Sequence, residues 1–155
     1  MVIKDIIDHI RNRPYMSGVD RTKQRMKSLQ EVFTTDKILK DFDNLDQSYF
    51  KDPDQPFIDT CCGDGSLLGE ALIRKIENGI DFENALSTMY GVDIMQDNID
   101  LCHERLLCGR EDLRHIVEKN IIQGDALKIK NWAFDGEDLY KSKQDLHNEK
   151  IFEIG

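Results

Sequence analysis

Ile3, Ile6, Ile7 and Ile10 recur at the three- and four-residue spacing that lines one face of a helix, so residues 2–10 predict an amphipathic α-helix closed by the turn formers Pro14 and Gly18. Residues 20–30 are polar and basic and predict a second helix. Thr34 or Thr35 suits a helix N-cap, and Ile38, Leu39, Phe42 and Leu45 form the stripe of a third helix running to about residue 45. Two prolines and several acids mark residues 46–56 as a surface loop. From Pro56 onward the pattern changes to short apolar runs separated by helical periodicity. Phe57 and Ile58 open a buried strand leading into the residue 59–66 loop and a helix over residues 67–77; residues 89–92 follow as a strand, 97–107 as a helix, 117–123 as a third strand and 127–134 as a fourth. This alternation predicts a three-layer α/β unit whose parallel strands are joined by right-handed crossovers, preceded by two or three helices. Residues 136–155 are polar until Ile151 and predict a fraying tail. The chain thus divides into a helical segment (residues 1–45), an α/β domain (46–135) and a tail (136–155).

A chain of 155 residues with 39% hydrophobic and 33% charged positions fits one globular domain. No run approaches the ~18 apolar residues of a membrane span, and the first ten residues mix charge with aliphatics too closely for a secretory signal. The expectation is a soluble cytoplasmic protein with no membrane association. Cys61 and Cys62 are adjacent and the spacing of Cys102 and Cys108 fits no common zinc pattern, which points to a reducing compartment. His9, His103, His115 and His147 are scattered, so no metal site is expected. The net charge of −9 opposes general adhesion to nucleic acid, yet residues 11–27 hold six basic residues against the single acid Asp20. That arm fits docking to DNA or to an acidic partner, and equally a solvated helical surface.

The chemistry concentrates at three strand ends. Asp59-Thr60-Cys61-Cys62-Gly63-Asp64-Gly65-Ser66 is an acid followed by a glycine turn into a helix, which brings unhindered backbone and helix N-terminal amides beside a ligand. Its glycines do not complete the dinucleotide fingerprint, because Leu68 stands where a third glycine belongs. Asp59 suits a ligand carrying a positive ammonium group. Tyr90-Gly91-Val92-Asp93 puts a second carboxylate at the next strand end, where it can accept ribose hydroxyls. Gln123-Gly124-Asp125 supplies a third acid on the same rim. Cys61 and Cys62 read as small buried thiols of the turn, and Glu104 and Arg105 as residues of the second crossover helix without catalytic duty.

Taken in order, these motifs resemble those of the DNA adenine methyltransferases of the amino-methylating class, which include modification subunits of restriction systems and phage-borne relatives. The resembling region spans residues 31–127. It implies a Rossmann-like S-adenosylmethionine-dependent methyltransferase fold, here a partial parallel sheet with N-terminal helices. Phe33-Thr34-Thr35 is similar to the family's F-T-P motif, with Thr35 replacing proline, and implies that Phe33 and Thr34 cover the methionine end of S-adenosylmethionine. Asp59, Gly63 and Gly65 match the D-x-x-x-G-x-G loop, on which Cys61 also sits. Asp93 matches the second acidic motif, with Ile94 approaching the adenine ring, and Asp125 matches the acid that hydrogen-bonds the adenine amine.

The family's Asn-Pro-Pro-Tyr or Asn-Pro-Pro-Phe motif, which holds a flipped base, has no counterpart in this sequence. Asn131-Trp132-Ala133-Phe134 stands too soon after Asp125 to supply it, and Trp132 and Phe134 read as core of the fourth strand. The length also leaves no room for the later strands and the target-recognition region. Catalytic residues are therefore unassigned, and two readings stand: a methyltransferase acting on adenine in DNA, or a noncatalytic cofactor-binding module or half of a split enzyme that associates with a methyltransferase subunit. An open sheet edge also calls for cover by a homodimer or partner.

Overall fold

The computed structural model describes residues 1–11 and 40–128. Their architecture is mixed α/β around a three-stranded parallel sheet. Strands β1 (Phe57–Asp59), β2 (Met89–Asp93) and β3 (Ile121–Gln123) lie in the order β1-β2-β3, with Phe57 opposite Met89 and Gly91 opposite Ile121. The helices are α1 (Ile3–Arg11), α2 (Ser66–Glu77), α3 (Phe82–Ser87), α4 (Gln96–Leu107) and α5 (Arg114–Asn120). Because side chains alternate along a strand, the sheet has two distinct apolar faces. Phe57, Met89 and Ile121 join the main core with Leu68, Leu72, Ile99, Leu106 and Val117 from the helices. Ile58, Tyr90, Val92 and Ile122 form a second cluster on the opposite face, together with Ala126. Strand order advances in one direction, so right-handed crossovers put all the connecting helices on one side.

Helix α2 lies between the sheet and α1, and even its charged residues Glu70, Arg74 and Lys75 are buried. Each is hydrogen-bonded. Glu70 accepts Arg11 at 2.9 and 3.0 Å and Arg74 at 2.7 Å, and Arg74 reaches Asp43 at 2.6 Å while lying over the Phe42 ring. Burial alone would raise the Glu70 carboxyl, but these two guanidinium groups hold it below its ordinary value. Lys75 Nζ donates to the carbonyls of Asp52 and Gln55 and to Thr88 Oγ1, tying the approach to β1 against α2. The α1–α2 contact is close at Gly69, where an added Cβ would stand 2.5 Å from Ile10 Cγ2. Gly69→Ala is therefore expected to destabilise the chain by about 1–3 kcal/mol despite the better helix propensity of alanine, because the β-branched Ile10 has little freedom to yield. Urea unfolding checks this, and partial recovery in Gly69→Ala/Ile10→Ala would locate the clash.

Several expected elements are corrected. Residues 117–120 belong to α5 and only residues 121–123 form the third strand; an apolar run this short does not reveal its period, and helical spacing buries Val117 and Asn120 together. Residues 126–128 are a 3-10 turn with Leu127 exposed, so the fourth strand does not start there; residues 129–134 lie outside the described residues. The third N-terminal helix does not run to Leu45: residues 42–44 form a 3-10 turn and Leu45 is 46% exposed. The loop over residues 46–56 contains a second 3-10 turn, Gln47–Phe50, whose Phe50 is buried against Phe42 and Phe57. Helix α3, anchored by Asp81 accepting from Asn84 N, occupies what reads in sequence as a connection. No helix among the described residues is long and apolar enough to cross a membrane.

Candidate functional site

The glycine loop between β1 and α2 is held from three sides. Cys62 N donates to Val92 O at 2.9 Å, fastening the loop to β2, and Gly65 N donates to Cys62 O to close the turn. Gly63 and Gly65 have φ of +53° and +86°, the left-handed region where an L side chain is strained. At Gly65 a Cβ would also stand 2.6 Å from Cys102 Sγ on α4, whereas at Gly63 it would meet nothing within 4 Å. Among the described residues, Gly63 therefore presents bare backbone to open space. From below, Asp64 is buried and pairs with Arg105 Nη2 at 2.8 Å and Ser66 Oγ at 2.9 Å, while Arg105 Nη1 donates to Ile10 O. Arg105 is thus buried on its helix. It links the loop, α4 and the end of α1 through one guanidinium group.

Asp93 organises the neighbouring strand end. Its Oδ1 accepts from Met95 N at 2.8 Å and Asn98 Nδ2 at 3.0 Å, its Oδ2 accepts from Gly63 N at 3.1 Å, and its carbonyl accepts from Gly124 N at 2.9 Å. Gln123 Nε2 donates to Ile94 O at 3.1 Å, joining the ends of β2 and β3. The loops after all three strands are in this way stitched through Asp93 and its neighbour.

The other two carboxylates share this rim. Asp59 Oδ1 accepts from Cys61 N at 3.0 Å, and Asp125 Oδ1 accepts from Leu127 N at 3.0 Å. Burial pushes the Asp59 carboxyl above its ordinary value; the Cys61 N–H opposes this and the charge of Asp93 reinforces it. The Cys61 thiol is raised by partial burial and then by the fields of Asp59, Asp93 and Asp125, so all three acids act on one point. The Cys62 thiol is pushed up further by its hydrogen bond with Cys102 and by burial. Both remain thiols at neutral pH, which suits them poorly as nucleophiles. Cys62 is buried as expected of a turn thiol, but Cys61 is exposed.

Comparison of the chain with protein-family models, with curated proteins and with solved structures finds no match in any of the three. What the site can do therefore rests on its own geometry. Asp59, Cys61, Gly63, Gly65, Asp93, Ile94 and Asp125 come together at the carboxyl ends of the strands. Phe33 and Thr34 lie outside the described residues, as does the basic arm beyond Arg11, which is engaged by Glu70. Among the described residues no group of His, Cys, Asp and Glu could hold a metal ion. Asn98, Gln123 and Arg105 also belong to the site or its support, and sequence spacing alone does not single them out. The signal that could have found Asn98 is its place in the first turn after the strand-end acid, within reach of Asp93.

Proposed function

We propose that this chain is an S-adenosylmethionine-binding, methyltransferase-like protein with a Rossmann-like fold, related to enzymes that methylate the exocyclic amine of adenine in DNA. The observation that carries this reading is the convergence of Asp59, Asp93 and Asp125 at the ends of three adjacent parallel strands, beside a left-handed glycine loop. Such a rim suits a cationic ligand that also presents hydroxyls and an amine. The residues present fit the cofactor: the space over Gly63 admits close approach of a ligand to backbone, and Asp93 Oδ2, holding one donor, keeps an acceptor site for a ribose hydroxyl. Asp93 Oδ1 already accepts two donors, which narrows the ribose contact to Oδ2. Asp59 and the Gly63 turn would hold the ammonium end, Ile94 would lie against the adenine ring and Asp125 would accept from its amine; by resemblance, Phe33 and Thr34 would close the methionine end. When bound, the cofactor supplies an electrophilic methyl group on a sulfonium centre.

Binding has a defined pH signature. A cation beside Asp59 favours the ionised carboxylate, whose pKa in the free chain is raised. Affinity should therefore strengthen as pH rises through the range just above that of an ordinary aspartate, with proton release on binding in that same range. Calorimetry in buffers of different ionisation enthalpy measures this, and an affinity independent of pH there, or affinity and proton release unchanged in Asp59→Asn, would remove Asp59 from the ammonium contact.

The missing Asn-Pro-Pro motif favours binding without turnover by this chain alone. Purified chain with methyl-labelled cofactor and unmethylated duplex DNA should show cofactor binding by calorimetry and no label in DNA. Turnover by the chain alone would overturn the noncatalytic reading, and absence of binding would overturn the cofactor reading itself.

A further inference from the structure

Arg105 holds two elements that lie far apart in sequence. In a continuing helix the Ile10 carbonyl would accept from residue 14, but Pro14 has no N–H to give, so this carbonyl needs a donor from elsewhere. Arg105 Nη1 supplies it at 2.9 Å, and Nη2 of the same guanidinium donates to Asp64 Oδ2 at 2.8 Å. Asp64 stands between the two left-handed glycines, Gly63 and Gly65, so what fixes its side chain fixes the loop. Asn98, Cys102 and Arg105 follow one another at helical spacing and form a stripe along α4. Asn98 donates to Asp93, Cys102 Sγ lies under Gly65, and Arg105 holds Asp64. The glycine loop rests on this stripe, and at Arg105 the stripe also reaches α1.

We propose that Arg105 is a positioning residue for the glycine loop, and that through it the geometry of the loop, and with it the affinity for ligand, depends on α1 being docked. A guanidinium is planar and its two Nη groups keep a fixed separation, so Ile10 O and Asp64 Oδ2 cannot shift relative to each other without loss of a bond. With α1 away, Nη1 would lose this acceptor and water would reach the buried pair, which weakens the hold on Asp64. Helix α1 is seated by contacts outside the loop: Arg11 with Glu70, His9 with the Glu104 carbonyl, and Ile10 against Gly69. Its docking can therefore change independently of what binds at the strand ends, and the two sites are distinct. By linkage, ligand at the loop then strengthens α1 docking by the same factor by which docked α1 strengthens binding. The effect on affinity rests on the cofactor reading, while the effect on loop geometry does not.

The test undocks α1 without altering the loop or Arg105. Ile6 is buried on α1, and Ile6→Asp puts a charge into that contact; Ile6→Ala is read in the same way, with smaller shifts, where Ile6→Asp does not fold. In the full chain without ligand, the NMR amide resonances of Gly63 and Gly65 should move from their parent positions, whereas Val117→Ala, a core truncation in α5, should leave them in place. Calorimetry with S-adenosylmethionine, at a temperature where each chain is folded, should show affinity lowered by on the order of 10-fold in the Ile6 variant. Arg105→Lys keeps a cation for Asp64 but loses the fork. In that background the Ile6 change should lower affinity by less than about twofold further. Unmoved Gly63 and Gly65 resonances in a folded Ile6→Asp chain would overturn the proposal, as would the same movement in Val117→Ala. A full affinity loss persisting in the Arg105→Lys background would overturn the role of Arg105. No binding by the parent chain would overturn the cofactor reading alone, since the loop resonances decide the coupling without ligand.

Discussion

Arg105→Met is expected to destabilise the fold by about 3–5 kcal/mol, because it leaves the buried Asp64 carboxylate without its cation. Both side chains are 5% exposed, so water cannot take over the lost interaction. The same change leaves the Ile10 carbonyl without its Arg105 donor. Asp64→Asn in the same background removes the stranded charge and should restore part of the loss. Urea unfolding of both single variants and the double variant measures the coupling. An Arg105→Met chain within about 1 kcal/mol of the parent would show that the pair is not what holds the glycine loop.

On the proposed cofactor reading, Asp93→Ala should weaken S-adenosylmethionine binding by about 2 kcal/mol or more, roughly 30-fold, since a charged acceptor for a ribose hydroxyl would be lost. It should also lower stability without ligand, because Gly63 N, Met95 N and Asn98 Nδ2 all lose their acceptor. The two effects separate when affinity is measured by calorimetry at a temperature where both chains are folded. Unchanged affinity would show that the ribose assignment is wrong, whatever happens to stability.

The parts of this protein that could be read from sequence are those where local chemistry and periodicity agree. The strand ends at Asp59 and Asp93 are announced by an apolar run stopping in an acid, and the Gly63 to Gly65 turn by residues that tolerate left-handed backbone. Helices α2 and α4 were legible within a residue of their observed starts. Where an apolar run is short, as at Ile116, Val117, Ile121 and Ile122, helix and strand look alike, and the boundary is set by what each side chain packs against. The structural role of Arg105 is hidden in the sequence for a related reason. Its partners Ile10 and Asp64 lie 95 and 41 positions away, and no local pattern reports an ion pair made across the core. Asn98 and Gln123 likewise acquire their roles only when the loops after three strands meet.

The same long separations bear on the order in which the molecule assembles. Each strand and the helix after it are neighbours in sequence, so the α/β part can form through comparatively short loop closures. Helix α1 is different: its bonds, His9 Nε2 with the Glu104 carbonyl and Arg105 Nη1 donating to the Ile10 carbonyl, each close 95 residues of chain. Such contacts contribute only after the strands and helices beneath them are in place, which makes α1 a late-docking element. Perturbing it should then speed unfolding while leaving the folding rate nearly untouched, so the persistence of the glycine loop over time is governed by a helix more than fifty residues upstream of it.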